Sequence, residues 1–211
     1  TNIAGDTLVS LAYTSGTTGN PKGVMLTHKN IMADMYSSEY SFPVVAYDRA
    51  LTFLPVCHAY ERLFHYVYIY KGLSIWFAQS METIGEDMKE VKPHIFSAVP
   101  RVLEKVYDKI MKKGDELTGL KRKLFFWAIN LGEQYDFDNR SAWYNFQLGI
   151  ARKLIFSKWK EALGNDIKGI SSGSAAIQEK LIKIFTAAGI NIYEGYGLTE
   201  TSPVVSVNKN E

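Results

Sequence analysis

Short apolar segments alternate with longer amphipathic segments along almost the whole chain, and this alternation limits the fold more than any other feature. A chain patterned in this way builds a mostly parallel sheet with helices on its faces. We therefore predict a single α/β domain with a mostly parallel sheet flanked by helices. Predicted strands cover residues 8–13, 24–26, 49–54, 73–78, 95–99, 167–170 and 190–193, and predicted helices cover 27–40, 60–70, 83–91, a stretch from Pro100, 117–137, 142–163 and 178–188.

Composition excludes several classes of protein. The chain has 211 residues and a formal net charge of +2, so charge gives no strong case for nucleic acid or an anionic membrane as the main partner. The single cysteine, Cys57, cannot form an intramolecular disulfide, which suits a reducing compartment. No apolar run approaches the length of a membrane span. We expect a cytoplasmic protein, with peripheral membrane contact and the oligomeric state, a dimer included, left open.

A loop rich in glycine and hydroxyl residues follows the first predicted strand, over residues 14–23. Glycines let a backbone turn tightly and point its N–H groups at a ligand, and Lys22 adds a mobile positive charge. This combination predicts a polyphosphate site. It differs from a Walker-type P-loop, in which glycine precedes the lysine and serine or threonine follows it. Here Pro21 precedes Lys22 and Gly23 follows it, which disfavours a kinase-like P-loop protein. The alternative is an ordinary surface turn.

A second candidate segment, residues 194–201, follows the last predicted strand as a loop. Tyr196 offers an aromatic face for stacking on a base, and Thr199 offers a hydroxyl to a phosphate. Glu200 offers a carboxylate to Mg²⁺, which is usually held by one or two protein carboxylates together with substrate phosphates. Taken alone, the segment would also fit a capped turn.

Together the two segments resemble the signatures of the adenylate-forming superfamily. Residues 13–23 read Tyr-Thr-Ser-Gly-Thr-Thr-Gly-Asn-Pro-Lys-Gly and are similar to its phosphate-binding motif, while residues 196–201 match its Tyr-Gly-Leu-Thr-Glu-Thr motif. The superfamily contains acyl-CoA synthetases, luciferases and the adenylation domains of peptide synthetases. The resemblance implies that the chain forms part of the large N-terminal domain of such an enzyme.

The resemblance also implies roles for individual residues. It implies catalytic roles for Lys22, Thr199 and Glu200, metal contacts for Thr14 and Glu200, and acyl-pocket positions for His58 and Ser172. Nucleotide binding is expected of Thr14, Ser15, Gly16, Thr17, Thr18, Gly19, Lys22, Gly173, Ser174, Glu194, Gly195, Tyr196, Gly197 and Thr199. The expected cofactors and substrates are ATP, Mg²⁺, a fatty acid and coenzyme A, with no nucleic acid.

Two further segments resemble the long-chain fatty acyl-CoA synthetase branch. They are residues 54–62, with the pattern Leu-Pro-x-x-His-x-x-Glu-Arg, and residues 99–107. A helical excursion over about residues 112–163 is also typical of that branch. Some bacterial members carry a tryptophan gate a few residues after the histidine, where this chain has Arg62. His58 either borders the acyl and phosphate site or is a packed loop residue. Neighbouring side chains diverge on a strand or a helix, so Cys57 and His58 do not by themselves indicate a catalytic dyad.

The implied reaction has two steps. A fatty carboxylate attacks the α-phosphorus of ATP to give an acyl-adenylate, and the thiol of coenzyme A then displaces AMP. We expect the chain, residues 1–211, to be a central fragment of the AMP-binding domain, without the N-terminal part of that domain and without the mobile C-terminal domain. The fragment alone is expected to fold without turning over. Alternatives are an enzyme that adenylates a medium-chain, aryl or amino acid, and a noncatalytic nucleotide-binding module.

Overall fold

A six-stranded sheet and a separate two-stranded hairpin organise the chain, whose computed structural model describes residues 2–15 and 19–208. The strands are β1 (Leu8–Thr14), β2 (Lys22–Thr27), β3 (Arg49–Thr52), β4 (Ser74–Phe77), β5 (Ile95–Ala98), β6 (Gly169–Ser172), β7 (Ile192–Gly197) and β8 (Val204–Val207). The large sheet has the order β4-β3-β5-β6-β7-β8, in which only β8 runs antiparallel to its neighbour. The predicted α/β class with a mostly parallel sheet is confirmed.

Helices cover both faces of this sheet. They are α1 (His28–Ser38), α2 (Ala59–Lys71), α3 (Ile84–Val91), α4 (Pro100–Asp115), α5 (Gly119–Glu133), α6 (Ala142–Ala151), α7 (Ser157–Ala162) and α8 (Glu179–Ala187). Short 3₁₀ turns lie at Glu39–Ser41 and Thr199–Thr201, and a π-helical segment at Arg152–Phe156 joins α6 to α7. Gly72 ends α2 in the left-handed conformation, with φ at 72°, as the sequence predicts. No helix in the described ranges is long and apolar enough to cross a membrane.

Alternation along β5 shows how each strand serves two cores. Phe96 and Ala98 pack with α4, α5 and α8 in the larger core, whereas Ile95 packs with Phe64 and Tyr68 of α2 on the opposite face. Successive side chains of a strand point to opposite faces, so a fully buried strand must be apolar on both. Ser97 faces the α2 side and is an exception to this rule.

Glu61 of α2 explains that exception. Its side chain is fully buried and accepts hydrogen bonds from Thr52 Oγ1 at the end of β3 and from Ser97 Oγ of β5. His65 Nε2, one turn further along α2, lies 3.4 Å from Glu61 Oε1. A buried carboxylate is tolerated only when its oxygens are hydrogen-bonded. Glu61 therefore fastens the first turn of α2 to two central strands.

The β1–β2 hairpin has no backbone pairing with the large sheet among the described residues. Thr27 ends the hairpin and begins α1, because its side chain accepts a hydrogen bond from the backbone N–H of Asn30 while the Asn30 side chain accepts one from the backbone N–H of Thr27. Helix α1 then packs against α2 through Met35, Leu63 and Val67. The hairpin is therefore joined to the sheet through these two helices and through the approach of β2 to the Thr199–Thr201 turn.

Three sequence predictions about local structure were wrong. Residues 171–172 and 194–197 were predicted to be loops, but they continue β6 and β7, because β7 and β8 supply backbone partners that the local pattern does not reveal. The predicted helix over 142–163 contains a π-helical segment. There Arg152 donates to the carbonyl oxygen of Ala187 at the end of α8, at 2.7 Å.

Replacing Glu61 by alanine is expected to lower the free energy of unfolding by about 3 kcal/mol, because the buried hydroxyls of Thr52 and Ser97 lose their acceptor. Urea denaturation checks the value. Glu90→Ala, which removes an exposed carboxylate of α3, is the matched control and should change stability by less than about 0.5 kcal/mol. Equal losses in the two variants would contradict this account of Glu61.

The carboxyl groups of Asp34 and Asp48 should contribute to stability with opposite dependences on pH. Burial raises the pKa of Asp34, although Val204 N–H and the Ser38 hydroxyl donate to its oxygens at 2.8 and 3.3 Å. The pKa of Asp48 is lowered: burial raises it, but the hydrogen bond and charge of Lys168, the backbone N–H of Val45 and the charge of His94 together outweigh burial. An acid whose pKa is raised on folding loses stabilisation as pH rises through its folded pKa, and one whose pKa is lowered loses it as pH falls.

We therefore expect the stability of Asp34→Asn relative to the parent to increase as pH rises from below the usual aspartate range to neutrality. The stability of Asp48→Asn relative to the parent should decrease over the same interval, because the parent gains its charged pair with Lys168. Urea unfolding at a series of pH values measures both differences. Trends of the same sign would be inconsistent with these environments.

Candidate functional site

Thr14 and Lys22, at the two ends of the first predicted loop, lie directly opposite each other in the β1–β2 hairpin. Lys22 is exposed and already belongs to β2, so the strand begins earlier than the sequence predicted. Ser15 and Gly19 are also exposed, and Gly19 has a φ of 90°. Gly16, Thr17 and Thr18 lie outside the described residues. The hairpin therefore presents a hydroxyl and an ammonium group side by side at the base of the loop.

The second predicted segment splits between a strand and a turn. Glu194 to Gly197 lie on β7, where Gly195, Tyr196 and Gly197 pair with residues of β8. Tyr196 is 64% exposed, so one of its faces is available for stacking. Thr199 and Glu200 follow on the 3₁₀ turn, with Thr199 half-buried and Glu200 exposed.

Close packing of backbone defines the shape of this turn. A Cβ atom added to Gly197 would lie 1.8 Å from the carbonyl oxygen of Pro203, so only glycine fits there. The same carbonyl accepts hydrogen bonds from Leu198 N–H at 2.9 Å and from the Thr201 hydroxyl at 2.6 Å. The turn that carries Thr199 and Glu200 is therefore clamped against the start of β8.

The two segments come together although they lie near opposite ends of the chain. Residues of β2 and of the Thr199–Thr201 turn approach within 8 Å between Cα atoms. A hydroxyl-bearing hairpin with a lysine thus lies beside a turn with a threonine and a glutamate. This arrangement brings together cationic and oxygen groups of the kinds that a phosphate chain and its metal ion require.

Residues 172–174 lie at the carboxyl end of β6, next to β7, which is where ligands bind in open α/β sheets. Ser172 pairs in register with Glu194, but its side chain is fully buried, and its Oγ has no hydrogen-bond partner among the described residues. A Cβ atom on Gly173 would lie 2.5 Å from the Tyr60 ring, so this glycine makes room for the ring. Ser174 has a φ of 68° and turns the chain away from the strand.

Glu194 has a structural task in addition to the predicted nucleotide contact. Its Oε1 accepts a hydrogen bond from Ile177 N–H at 3.2 Å, and its own N–H donates to Asn208 Oδ1 at 2.6 Å. The carboxylate therefore spans the loop between β6 and α8. Its proposed nucleotide contact stays a prediction.

His58 lies in the loop between β3 and α2, at the carboxyl edge of the sheet, and is exposed. It occupies the position just before α2 without capping the helix through its side chain, and its backbone N–H donates to the carbonyl of Pro55. Cys57 is exposed as well. The exposure of His58 argues against a packed loop residue, and its acyl-pocket role stays a prediction.

Three residues just after His58 make contacts that the sequence did not predict. Tyr60 donates to or accepts from Ser171 Oγ at 2.9 Å, and burial raises the pKa of its phenol far above the usual range, so it remains neutral. Glu61 is the buried anchor described above, and Arg62 contacts β1. A glutamate among the apolar residues of α2 was the signal that could have indicated a buried network.

The sequence profile of AMP-binding enzymes matches residues 1–211, the whole chain. The chain is 34% identical over 204 residues to peroxisomal long chain acyl-CoA synthetase 6 of Arabidopsis thaliana, covering 95% of this chain and 28% of that protein. It is 34% identical over 215 residues to long-chain-fatty-acid–CoA ligase 1 of Cavia porcellus, covering 96% of this chain and 29% of that protein. The chain thus spans less than a third of the length of these relatives.

Solved structures agree on the fold. The adenylation domain of a carboxylate reductase from Mycobacterium chelonae superposes with a TM-score of 0.71 at 24% identity, covering 96% of this chain and 28% of that one. At this level of identity the similarity extends to the fold alone.

Two neighbouring glycines allow a matched test of the clamped turn. Gly197→Ala should lower the free energy of unfolding by about 2 kcal/mol, because its methyl group collides with the Pro203 carbonyl and displaces the turn. Gly195→Ala should change it by less than about 1 kcal/mol, because its methyl group meets nothing closer than 3.9 Å. Thermal unfolding of both variants measures the difference. A Gly195 variant as unstable as the Gly197 variant would contradict the packing described.

Proposed function

Because the chain belongs to the AMP-binding enzyme family, we propose that it is the nucleotide-binding portion of an AMP-forming long-chain fatty acid–CoA ligase. The observation that carries the proposal is the approach of β2 to the Thr199–Thr201 turn, which unites the two segments that resemble the family motifs. The long-chain preference is supported by the names of the relatives reported above and by the motif at residues 54–62.

The proposed reaction begins with attack of a fatty carboxylate oxygen on the α-phosphorus of ATP. The bond between the α-phosphorus and the oxygen that bridges it to the β-phosphate breaks. Pyrophosphate leaves with the electron pair of that bond. Negative charge grows on the phosphate oxygens in this step, and the ammonium group of Lys22 with the hydroxyls of Thr14 and Thr199 would offset it. Tyr196 would stack on the adenine, for which its exposed ring is suited.

The thiol of coenzyme A then attacks the acyl carbon, and AMP leaves. No protein nucleophile is required, since the mixed anhydride is already activated. His58, Ser172, Gly173 and Ser174 lie at the carboxyl edge of β3 and β6, and we assign them to the acyl and adenine side of the site.

Mg²⁺ fits this donor set as an ion held jointly with the nucleotide. The described residues contain no group of three or more His, Cys, Asp or Glu side chains that could hold a metal by themselves. Magnesium commonly takes one or two carboxylates and completes its shell with phosphate oxygens and water. Glu200, with Thr14 across the site, would provide the protein ligands. When bound, the ion neutralises charge on the phosphates.

Three further expectations belong to the proposal. The chain alone is not expected to turn over, because it spans 28% of the length of the Arabidopsis thaliana relative reported above. Its helical layer over about residues 112–163 is an excursion from the AMP-binding domain.

The working compartment is the cytoplasm, with peripheral contact at a membrane surface, where long-chain fatty acids concentrate.

Lys22→Ala, made in the full open reading frame that contains this sequence, is expected to lower kcat/KM for adenylation about 100-fold, since it removes the one cation at the base of the hairpin loop. Palmitate-dependent exchange of pyrophosphate into ATP measures this step. Lys29→Ala, which removes an exposed ammonium group from α1, should retain activity and controls for net charge.

The same assay separates the alternatives. Exchange with palmitate but not with benzoate, octanoate or amino acids supports the long-chain assignment, and exchange only with one of the others replaces it. Absence of exchange with every carboxylate would favour a noncatalytic nucleotide-binding module. Robust exchange by the isolated 211-residue chain would refute its expected inactivity.

A further inference from the structure

Arg62 joins the hairpin to the rest of the molecule. Its Nη1 donates to Ser10 Oγ of β1 at 2.8 Å. Among the described residues, this is the one side-chain hydrogen bond from the hairpin to any element other than its immediate neighbour α1. Hydrogen bonds made by a charged donor are stronger than neutral ones. The contact therefore adds a charged hydrogen bond to the contacts that β2 makes with α1 and with the Thr199–Thr201 turn.

The contact point lies at the base of the hairpin. Ser10 pairs with Leu26, and four residues further along β1 Thr14 pairs with Lys22. A strand rises about 3.3 Å per residue, so the anchor lies about 13 Å from the residues that begin and end the loop. Fixing the base of a two-stranded ribbon limits the arc through which its tip can move.

Arg62 follows the buried anchor Glu61 in the first turn of α2. Glu61 binds inward to Thr52 and Ser97 at the carboxyl edge of the large sheet, and Arg62 binds outward to Ser10. One helical turn therefore connects the edge that carries residues 172–174 and 194–197 with the hairpin that carries Thr14 and Lys22. No strand pairing makes this connection in the described ranges.

The seam between the hairpin and α2 contains one small gap beside this hydrogen bond. A cavity of about 10 Å³ lies there, lined by Ser10, Ala12, Leu26, Cys57, Arg62 and Ser202 among others. This is room for about one water-sized sphere. Arg62 and Ser10 both line this gap, so their hydrogen bond lies at a point that side-chain packing does not fill completely.

We propose that Arg62 is a positioning residue for the adenylation step, which sets the hairpin that bears Thr14 and Lys22 against the turn that bears Thr199 and Glu200. The inference rests on the proposed function. Arg62 touches neither nucleotide nor acid; it acts through Ser10. Its effect should therefore appear in ATP binding and not in fatty acid binding.

The test uses the full open reading frame and measures pyrophosphate exchange with separate titrations of ATP and palmitate. Arg62→Ala should raise KM for ATP about tenfold, as expected for the loss of a charge-assisted hydrogen bond, with KM for palmitate within about twofold. Arg62→Lys should recover part of the loss, because lysine keeps one charged donor. Arg122→Ala, which removes an arginine from an exposed ion pair with Asp115 on the helical layer, is the matched control and should leave both constants unchanged.

Ser10→Ala provides the partner variant. It should raise KM for ATP to a similar extent, and the double variant should be no worse than Arg62→Ala, since both changes remove one interaction. Ser10→Ala deletes a single hydroxyl and keeps the test usable if Arg62→Ala does not fold. Additive losses in the double variant, or equal increases in both KM values, would overturn the proposal.

Hydrogen exchange separates this inference from the proposed function. In Arg62→Ala the backbone amides of residues 8–14 and 22–27 should exchange faster, while those of β3, β5, β6 and β7 stay as in the parent. This readout holds whether or not the parent adenylates palmitate. Unchanged exchange in the hairpin would overturn the positioning role, whereas a parent without pyrophosphate exchange would overturn only the proposed function.

Discussion

The fully buried carboxylate of Glu61 is the interaction on which the arrangement of the site depends. It receives the hydroxyls of Thr52 and Ser97 at the carboxyl ends of two central strands and so fixes where α2 begins. Helix α2 in turn supports α1 through Leu63 and Val67, and contacts β1 through Arg62. A buried charge is costly unless its lone pairs accept hydrogen bonds. Small shifts of α2 relative to the two strands would therefore be destabilising. The first turn of α2 therefore fixes the positions of the hairpin, the loop before α2 and the sheet edge relative to one another.

Close backbone packing at glycines shapes the described part of the candidate site. Gly197 lies too close to the Pro203 carbonyl for any side chain, and Gly173 makes room for the Tyr60 ring. Each glycine lets a polar neighbour, Glu200 or Ser174, lie at the edge of the sheet. Such an edge offers hydroxyls, backbone groups and a carboxylate to a nucleotide that would bring much of the remaining coordination itself. A site of this kind needs its separate segments held in register, and the hydrogen bond from Arg62 to Ser10 joins two of them.

Local patterns predicted most elements but misjudged where several of them end. Thr27 caps α1, Pro100 starts α4 and Gly72 ends α2, and each of these signals acts within one turn of chain. Ser171, Ser172 and Glu194–Gly197 are strand residues despite their loop-like composition, because a strand is completed by a partner elsewhere in the sequence. Arg152 likewise contacts a distant part of the chain, the carbonyl oxygen of Ala187 at the end of α8.

The sequence by itself determined the α/β class, through the alternation of strand and helix periods, and the chemistry of the two candidate segments, through their glycines, hydroxyls, Lys22 and Glu200. Both are local properties, since period and functional groups are written in consecutive residues. Tertiary structure alone decided that β2 lies against the Thr199–Thr201 turn and that Glu194 spans a loop. It also decided that, within one turn of α2, Glu61 binds toward the sheet and Arg62 binds toward the hairpin. These are contacts between residues that are not neighbours in sequence, and only the packing of the whole chain brings them together.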